Sequence, residues 1–470
     1  MKSIFIFRRD FRIRDNTAFI ECYKKSESVL PIFIFTPEQA DSKINDYFSS
    51  NAFQFMLESL KELDDHLKTE FKSGLTYFYG DNIEVLQSLF VDYSYNAIFF
   101  NMDYTPYARK RDLAISDFCT GNSMECFMIE DYLLSPIGTF LKVDGTPYEK
   151  YTPFKNSAIS KNRVIKVDGY KFSENKFAKN SKVDGIMGKN KYCIKIHEMD
   201  KYYTVNPDLI VHGGCQNGLA ILKRIRGGEF VNYDNERNDL PRETTHLSAY
   251  IKFGCISIRE VYECVFKSYG IEHGIIGQLY WREFYYYLAY YIPKVMEGKS
   301  LKEKYDGIKW ENDKKNVVAW KKGETGFPAV DAGMREMNTT GFMHNRARLI
   351  TSGILIKILN CDWRIGEKYF AQRLVDYDPI VNNGNWQWSS GSGADSQPYF
   401  RILSPWKQAI DNDGECIYIK KWIPELKDVS KKDILKWGEY KGKTKYPKPI
   451  VDYEKMRKDI MDVYKTGFDA

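Results

Sequence analysis

Short apolar runs recur through the first part of the chain. Ser3–Phe7, Val29–Phe35 and Asn96–Asn101 are each closed by polar or charged residues. Between them, Asn51–Leu67 and Ile83–Phe90 place apolar residues at helical spacing, which predicts helices with one buried face. Uninterrupted apolar strands alternating with amphipathic helices build a parallel sheet covered on both sides. Residues 1–130 are therefore expected to form a doubly wound α/β domain. From about Pro207 the period is helical: Gly218–Ile225, Ser257–Ser268, Ile276–Tyr291, Ala329–Asn338, Asn345–Leu359, Gly366–Leu374 and Tyr453–Tyr464. That pattern predicts an all-α domain over 206–470. Residues 131–205 join the two, and the Lys-, Asn-, Ser- and Gly-rich stretch from Lys155 to Lys201 reads as an exposed connector.

At 470 residues with 43% hydrophobic and 15% aromatic content, there is material for more than one large core. The net charge of +6 permits a local basic patch without demanding one. Nine cysteines include no CxxC pair and six histidines no metal-spaced pair. This argues against a zinc site or disulfide framework and for a reducing compartment. No apolar run is long enough for a bilayer, and the first residues run straight into a strand with no leader pattern. The expectation is a soluble intracellular monomer, cytoplasmic or nuclear, with no membrane partner and no metal.

Candidate chemistry concentrates between Trp363 and Arg401. There Trp363, Trp386 and Trp388 alternate with Asp376, Tyr377, Asp378, Asn382 and Arg401 in a segment punctuated by glycine. Tryptophans in a polar loop need something flat to stack on, so this stretch reads as a pocket wall facing a large planar cofactor; a capped helical core is the alternative. Thr244, Thr245, His246, Leu247 and Ser248 lie at an expected helix start, where hydroxyls suit either a phosphate or a simple N-cap. Gln278, Trp281 and Arg282 share a helix at i, i+3 and i+4. They read as a stacking ring beside a phosphate-reaching arginine, or as core. Arg346 and Arg348 need acids or phosphates, and Asp376 and Asp378 are available. Arg8–Asn16 and Asn101–Tyr107 follow strands, at the edge where such sheets bind ligands, although strand-end capping accounts for them equally. No GxGxxG follows the first strand.

Taken together, these motifs resemble the photolyase/cryptochrome flavoprotein family. The marks are Phe7-Arg-Arg-Asp-Phe-Arg-Ile-Arg-Asp15-Asn16, Tyr233-Asp-Asn-Glu-Arg237, Thr244–Ser248, Trp281-Arg-Glu, the run from Gly323 to Arg335, His344-Asn345-Arg346, and Asn382-Asn-Gly-Asn-Trp386-Gln-Trp388. The pattern is most similar to the class I branch, which repairs cyclobutane pyrimidine dimers. The resemblance implies FAD, with Tyr233 and Thr244–Ser248 on its diphosphate and ribityl chain. It places Arg348, Asp376, Tyr377 and Asp378 by the flavin and Asn382 at N5. Trp386, Trp363 and Trp320 would form a photoreduction chain. Trp281 and Trp388 would stack on a flipped-out lesion, with Arg237, Arg282, Asn345, Arg346, Arg401 and Gln408 on UV-damaged DNA.

The resemblance also implies an antenna chromophore in the first domain, of deazaflavin, flavin or folate type, and Asn101-Met-Asp103 is more similar to the deazaflavin or flavin form. Two departures matter. Gln278 stands where class I usually has Glu, as in (6-4) enzymes and animal-type cryptochromes. The (6-4) enzymes, however, carry histidines where this chain has Asn345 and Leu349, so dimer repair is preferred. A cryptochrome-type blue-light receptor is the competing reading, and both Trp281 and Trp388 speak against it.

Overall fold

The computed structural model describes residues 1–179, 185, 190–396 and 398–469. Strands β1 (Lys2–Phe7), β2 (Ser28–Phe35), β3 (Thr76–Tyr79), β4 (Ala97–Asn101), β5 (Glu125–Ile129) and β6 (Cys193–Ile194) form one sheet in the order β5-β4-β1-β2-β3-β6. The first five are parallel and β6 closes the β3 edge antiparallel. Ile4, Phe5, Ile32, Ile98 and Phe99 are fully buried, as strands covered on both faces require. The strand order reverses between β1 and β4, so Arg8–Asn16 and Asn101–Tyr107 meet at the switch point.

The expected fold class holds: an α/β domain followed by helices. The connector differs from its expectation. Tyr151–Lys161 is a helix that buries Phe154 and Ala158, Phe177 bridges to Val29, and Cys193–Ile194 supplies β6. Within 131–205 the helix packs on Gly274–Tyr291 of the second half, through Tyr151 on Trp281 and Phe154 on Phe284, whereas Phe177 and β6 join the sheet of the first domain. Residues 180–184 and 186–189 lie outside the described residues. Polar composition hid this, because the stretch contributes isolated buried rings rather than a periodic face.

The site rests on six helices of the second half: α1 (Gly274–Tyr291), α2 (Pro328–Thr340), α3 (Asn345–Lys357), α4 (Trp363–Arg373), α5 (Pro379–Ser390) and α6 (Pro405–Asp413). Asp362 caps α4 and Asp378 caps α5, with Pro379 at the first helical position and Gly391 at the left-handed stop. Within this stretch the helix expected at Gly366–Leu374 is found in α4, and the part read as polar loop supplies α5. Its Asn-Asn-Gly-Asn interior has poor helix propensity, and packing overrides it. The two halves are clamped by buried ion pairs. Arg259 reaches Asp15 at 2.9 Å and Asp131 at 2.8 Å, and Arg12 reaches Asp131 at 2.6 Å. Among the described residues, no helix is long and apolar enough to cross a membrane.

Candidate active site

One wall of the site is a hydrogen-bonded chain. Ser248 Oγ donates to Asp376 Oδ2 at 2.6 Å, and Arg348 Nη2 donates to the same carboxylate at 2.9 and 3.1 Å. The expected Asp376–Arg348 pair is formed, and Ser248 joins it. Thr244 and Thr245 are half-buried beside it, Leu247 is in the core, and His246 takes a left-handed backbone at φ 52°. His246, at the N-cap of the helix that begins at Leu247, makes no side-chain cap bond. Thr245 Oγ1 accepts from Leu247 N at 3.4 Å and keeps its O–H to donate.

Next to them is a group the sequence reading left without a role. His344 Nδ1 accepts from Arg346 N, and its buried Nε2 has no partner. Burial, then Arg348 and Arg346, push His344 down to about 4. It is a neutral ring with a spare N–H donor. Arg346 Nε is likewise buried and unpartnered.

Asn382, on α5, donates Nδ2 to Glu367 Oε1 at 2.9 Å and to the Glu367 carbonyl at 3.1 Å. Its Oδ1 is left as an acceptor. Burial pushes Glu367 up to about 7, against the bonds from Asn382 and Tyr47. Tyr377 stacks on Tyr47 from the first domain, with centroids 6.3 Å apart. A glycine decides how α4 and α5 meet. A Cβ on Gly366 would lie 2.1 Å from the Trp386 ring, so only glycine lets that indole seat itself against α4.

Trp386 is 4.9 Å from Phe370 and 6.3 Å from Trp320, centroid to centroid, and Trp363 shares that core. Trp320 is 0% exposed, with Nε1 bonded to the Thr351 carbonyl at 3.0 Å, so in the expected chain it could only be an interior ring and not the one that meets solvent. Trp310 is the ring the sequence reading missed. It is partly exposed, and its neighbours Glu311 and Asn312 bond to Asn360 and Asp362 immediately before Trp363.

The lesion side is carried by α1. Trp281 is partly exposed and lies flat on Tyr151, centroids 3.8 Å apart and planes 8° apart. Trp388 on α5 is also partly exposed, and Gln278 sits one turn before Trp281. Arg346 reaches Asn238 at 2.6 Å and Gln408 at 3.4 Å. Burial and the nearby Arg237 lower its pKa. Among the described residues neither arginine has a carboxylate partner, so two cations adjoin with no protein anion between them. Tyr233 is half-buried at the same edge, 6.0 Å from the His273 ring. Asn345 is exposed, and so is Arg401, whose carbonyl is held by buried Lys357 at 2.9 Å.

Two expected contacts are corrected. Arg282 points inward, bonding the Tyr132 carbonyl at 2.7 Å and lying over the Tyr286 ring, with its side chain 12% exposed. It is a structural cation, not a phosphate contact. Asp378 has no capacity left for a cofactor. Its Oδ1 accepts from Ile380 N and Val381 N, and its Oδ2 from Tyr286 at 2.5 Å and Arg9 at 3.1 Å. Four donors fill a carboxylate, so Asp378 joins the two halves of the molecule. Spacing cannot distinguish such saturated groups from available ones.

At the β1/β4 switch point, capping explains most of the polar residues. Asn101 is fully buried, with its amide spent on Asp10, Asn16 and Ala18 N, and Asp103 pairs with Arg9 at 2.7 Å. Buried donors without acceptors there, among the described residues, include Arg8 Nη2, Arg9 Nε, Arg12 Nε and the Tyr132 hydroxyl.

Comparison with known proteins agrees with this arrangement. Residues 3–168 match the family model described as DNA photolyase, and 275–466 the one described as FAD binding domain of DNA photolyase. The chain is 34% identical to the deoxyribodipyrimidine photo-lyase of Alkalihalophilus pseudofirmus, over 98% of this chain and 97% of that one. It is 32% identical to that of Buchnera aphidicola from Baizongia pistaciae, with the same coverage. A solved archaeal photolyase from Sulfolobus tokodaii, with two FAD molecules, superposes with a TM-score of 0.85 at 36% identity, covering 99% of this chain and all of that one. A class III photolyase from Agrobacterium tumefaciens gives 0.89 at 28% identity, covering 100% of this chain and 98% of that one.

Proposed function

Since this chain belongs to the DNA photolyase family, we propose that it is a light-driven lyase that splits cyclobutane pyrimidine dimers in DNA. The observation that carries this reading is the uncompensated pair Arg237 and Arg346 beside the partly exposed Trp281. Backbone phosphates answer the first and a turned-out base the second. A duplex hides its bases, and a damaged pair unstacks at reduced cost. A cryptochrome-type receptor has no need of either feature.

The donor set fits FAD. The hydroxyls of Thr244 and Thr245, the spare N–H of His344 and the guanidinium of Arg348 are donors suited to a diphosphate and ribityl chain, and Ser248, whose proton goes to Asp376, keeps acceptor capacity beside them. Asn382 Oδ1, with its amide nitrogen held by Glu367, would accept a proton-bearing flavin N5. When bound, FAD supplies the photoexcited electron that opens the dimer and then recovers it. The residues hold and orient: Trp281 and Trp388 receive the bases, and Arg237, Arg346, Arg401 and Gln408 hold the backbone. Gln278 can bond a pyrimidine edge but cannot share a proton as a carboxyl would.

Binding assays separate these roles. Trp281→Ala or Trp388→Ala is expected to weaken dimer-containing duplex by about 1–3 kcal/mol per lost stack, leaving undamaged duplex unchanged. Arg346→Ala is expected to weaken both DNAs and to lower the salt slope by about one phosphate contact. Equal loss on both DNAs for Trp281→Ala would make that ring core packing.

We further propose a flavin-type antenna at the β1/β4 switch point, where Arg8, Arg9 and Tyr132 offer unused donors. Lys252 adds a cation there, which burial and then Arg9 lower to about 7. The expectation is about two chromophores released per chain on denaturation, quantified by absorbance; a single one, FAD alone, would remove the antenna.

A further inference from the structure

The 18 residues from Lys431 to Lys448 hold seven lysines against Asp433 and Glu439, a net charge of +5 in a chain whose total is +6. All seven lysines are exposed. Lys431 pairs with Glu415, and Lys448 lies over the rings of Trp437 and Tyr440. Lys432, Lys436, Lys441, Lys443 and Lys445 have no carboxylate partner among the described residues. A charge run of this kind is ordinarily a solvated, mobile face. Here the backbone beneath it is pinned. Tyr446 is buried and donates its hydroxyl to the buried Asp331. Trp437 Nε1 donates to the Pro447 carbonyl at 2.7 Å, and Ile450 N to the Thr325 carbonyl at 3.0 Å. Gly326 has φ +77°, and a Cβ there would lie 2.3 Å from the Lys448 carbonyl, so the loop is seated directly on the start of α2. The alternation from Lys443 to Tyr446 turns Lys443 and Lys445 outward and Tyr446 inward.

This strip adjoins the lesion site. A Cβ on Gly438 would lie 3.7 Å from the ring of Trp406, on the helix α6 that carries the exposed Lys407 and the Gln408 bonded to Arg346. We propose that the lysine strip is a second DNA surface, which holds the phosphates of the undamaged duplex arm leading away from the lesion. The inference rests on the lesion-binding reading above and adds an occupant that the Trp281–Arg346 pocket does not need. Nucleic acid is favoured over an acidic protein because the lysines are spread along a fixed backbone with no apolar anchor between them. Such a surface gives salt-dependent, sequence-independent contact and nothing more.

The test compares two dimer-containing duplexes, one of about 8 base pairs and one of about 30, each titrated across salt with the flavin-loaded protein and with K441A/K443A/K445A. The expected result is a salt slope on the long duplex lower by about 2–3 for the variant, at about 0.9 per lost phosphate contact, with no change on the short one. A K441R/K443R/K445R variant should restore the slope, and an unchanged flavin content and circular dichroism spectrum would show that the fold is intact. An unchanged slope on the long duplex overturns the proposal, and so does equal loss on both lengths, which would place the lysines at the lesion itself. A wild-type protein with no preference for dimer over intact duplex would instead defeat the lesion-binding reading, and the length comparison on intact DNA would still decide the strip.

Discussion

Asp378→Ala is expected to destabilise the protein by about 3 kcal/mol or more, the cost of leaving a buried charge without its partner. Arg9 is 13% exposed and Asp378 7% in their side chains, so neither would be rescued by water. Arg9 keeps Asp103 at 2.7 Å, which holds the loss to the lower part of the range for broken buried pairs. The variant also loses the two N–H acceptors at the start of α5, worth about 1 kcal/mol. Because α5 carries Asn382, Trp386 and Trp388, the site should loosen along with the domain contact. Tyr286→Phe removes a donor to the same carboxylate and an acceptor for Arg9 but leaves the ion pair in place, and should cost about 1.5–3 kcal/mol. Denaturant unfolding, followed by tryptophan fluorescence and by flavin release, measures both. A loss below about 1 kcal/mol for Asp378→Ala would mean that water or a rearranged Arg9 replaces the pair.

Trp386→Phe is expected to abolish light-driven reduction of oxidised flavin, while repair by chemically reduced enzyme persists. Trp386 is 2% exposed and packed among Phe370, Trp320 and Gly366. As a buried ring it would serve as an interior relay rather than as a surface for DNA. Phenylalanine fits the space but is far harder to oxidise than an indole. Trp310→Phe and Trp320→Phe should each slow photoreduction, the first at the ring that reaches solvent and the second at an interior ring. Flavin bleaching under blue light with a thiol reductant gives the rates. Unchanged bleaching for Trp320→Phe would remove the buried ring from the path.

Much of this was legible before any coordinates, and the reasons are local. Helical periodicity located α1, α3 and the helix at Ser50–Phe71 to within a few residues, because each has a continuous apolar stripe and a clear cap. That Arg346 and Arg348 need acids or phosphates was legible from the residues, with Asp376 and Asp378 both open as partners; the resemblance alone singled out Arg348 with Asp376, the pair that forms. Other features depend on where a side chain turns, which spacing does not encode. Arg282 and Trp281 are neighbours on one helix, yet the guanidinium folds back under Tyr132 while the indole stays at the surface. Asp376 and Asp378 are two residues apart, yet the first pairs with Arg348 and Ser248 while the second is filled by Arg9, Tyr286 and the first N–H groups of α5. Trp310 and Trp320 differ in burial, a property of the bundle and not of either motif. The strands β3, β5 and β6 were not legible: β3 and β6 are four and two residues long, too short to show a period, and β5 lies at the sheet edge and is only partly buried.

The most direct test of the central claim is repair itself. Flavin-reduced protein is mixed with DNA carrying cyclobutane pyrimidine dimers and (6-4) photoproducts, exposed to blue light, and both lesions are quantified chromatographically against a dark control. The account predicts light-dependent loss of dimers with recovery of intact pyrimidines, and (6-4) products left unchanged, since Asn345 and Leu349 offer no histidine for acid catalysis. Dimers persisting under light in protein shown to hold reduced FAD, or equal loss of both lesions, would contradict it.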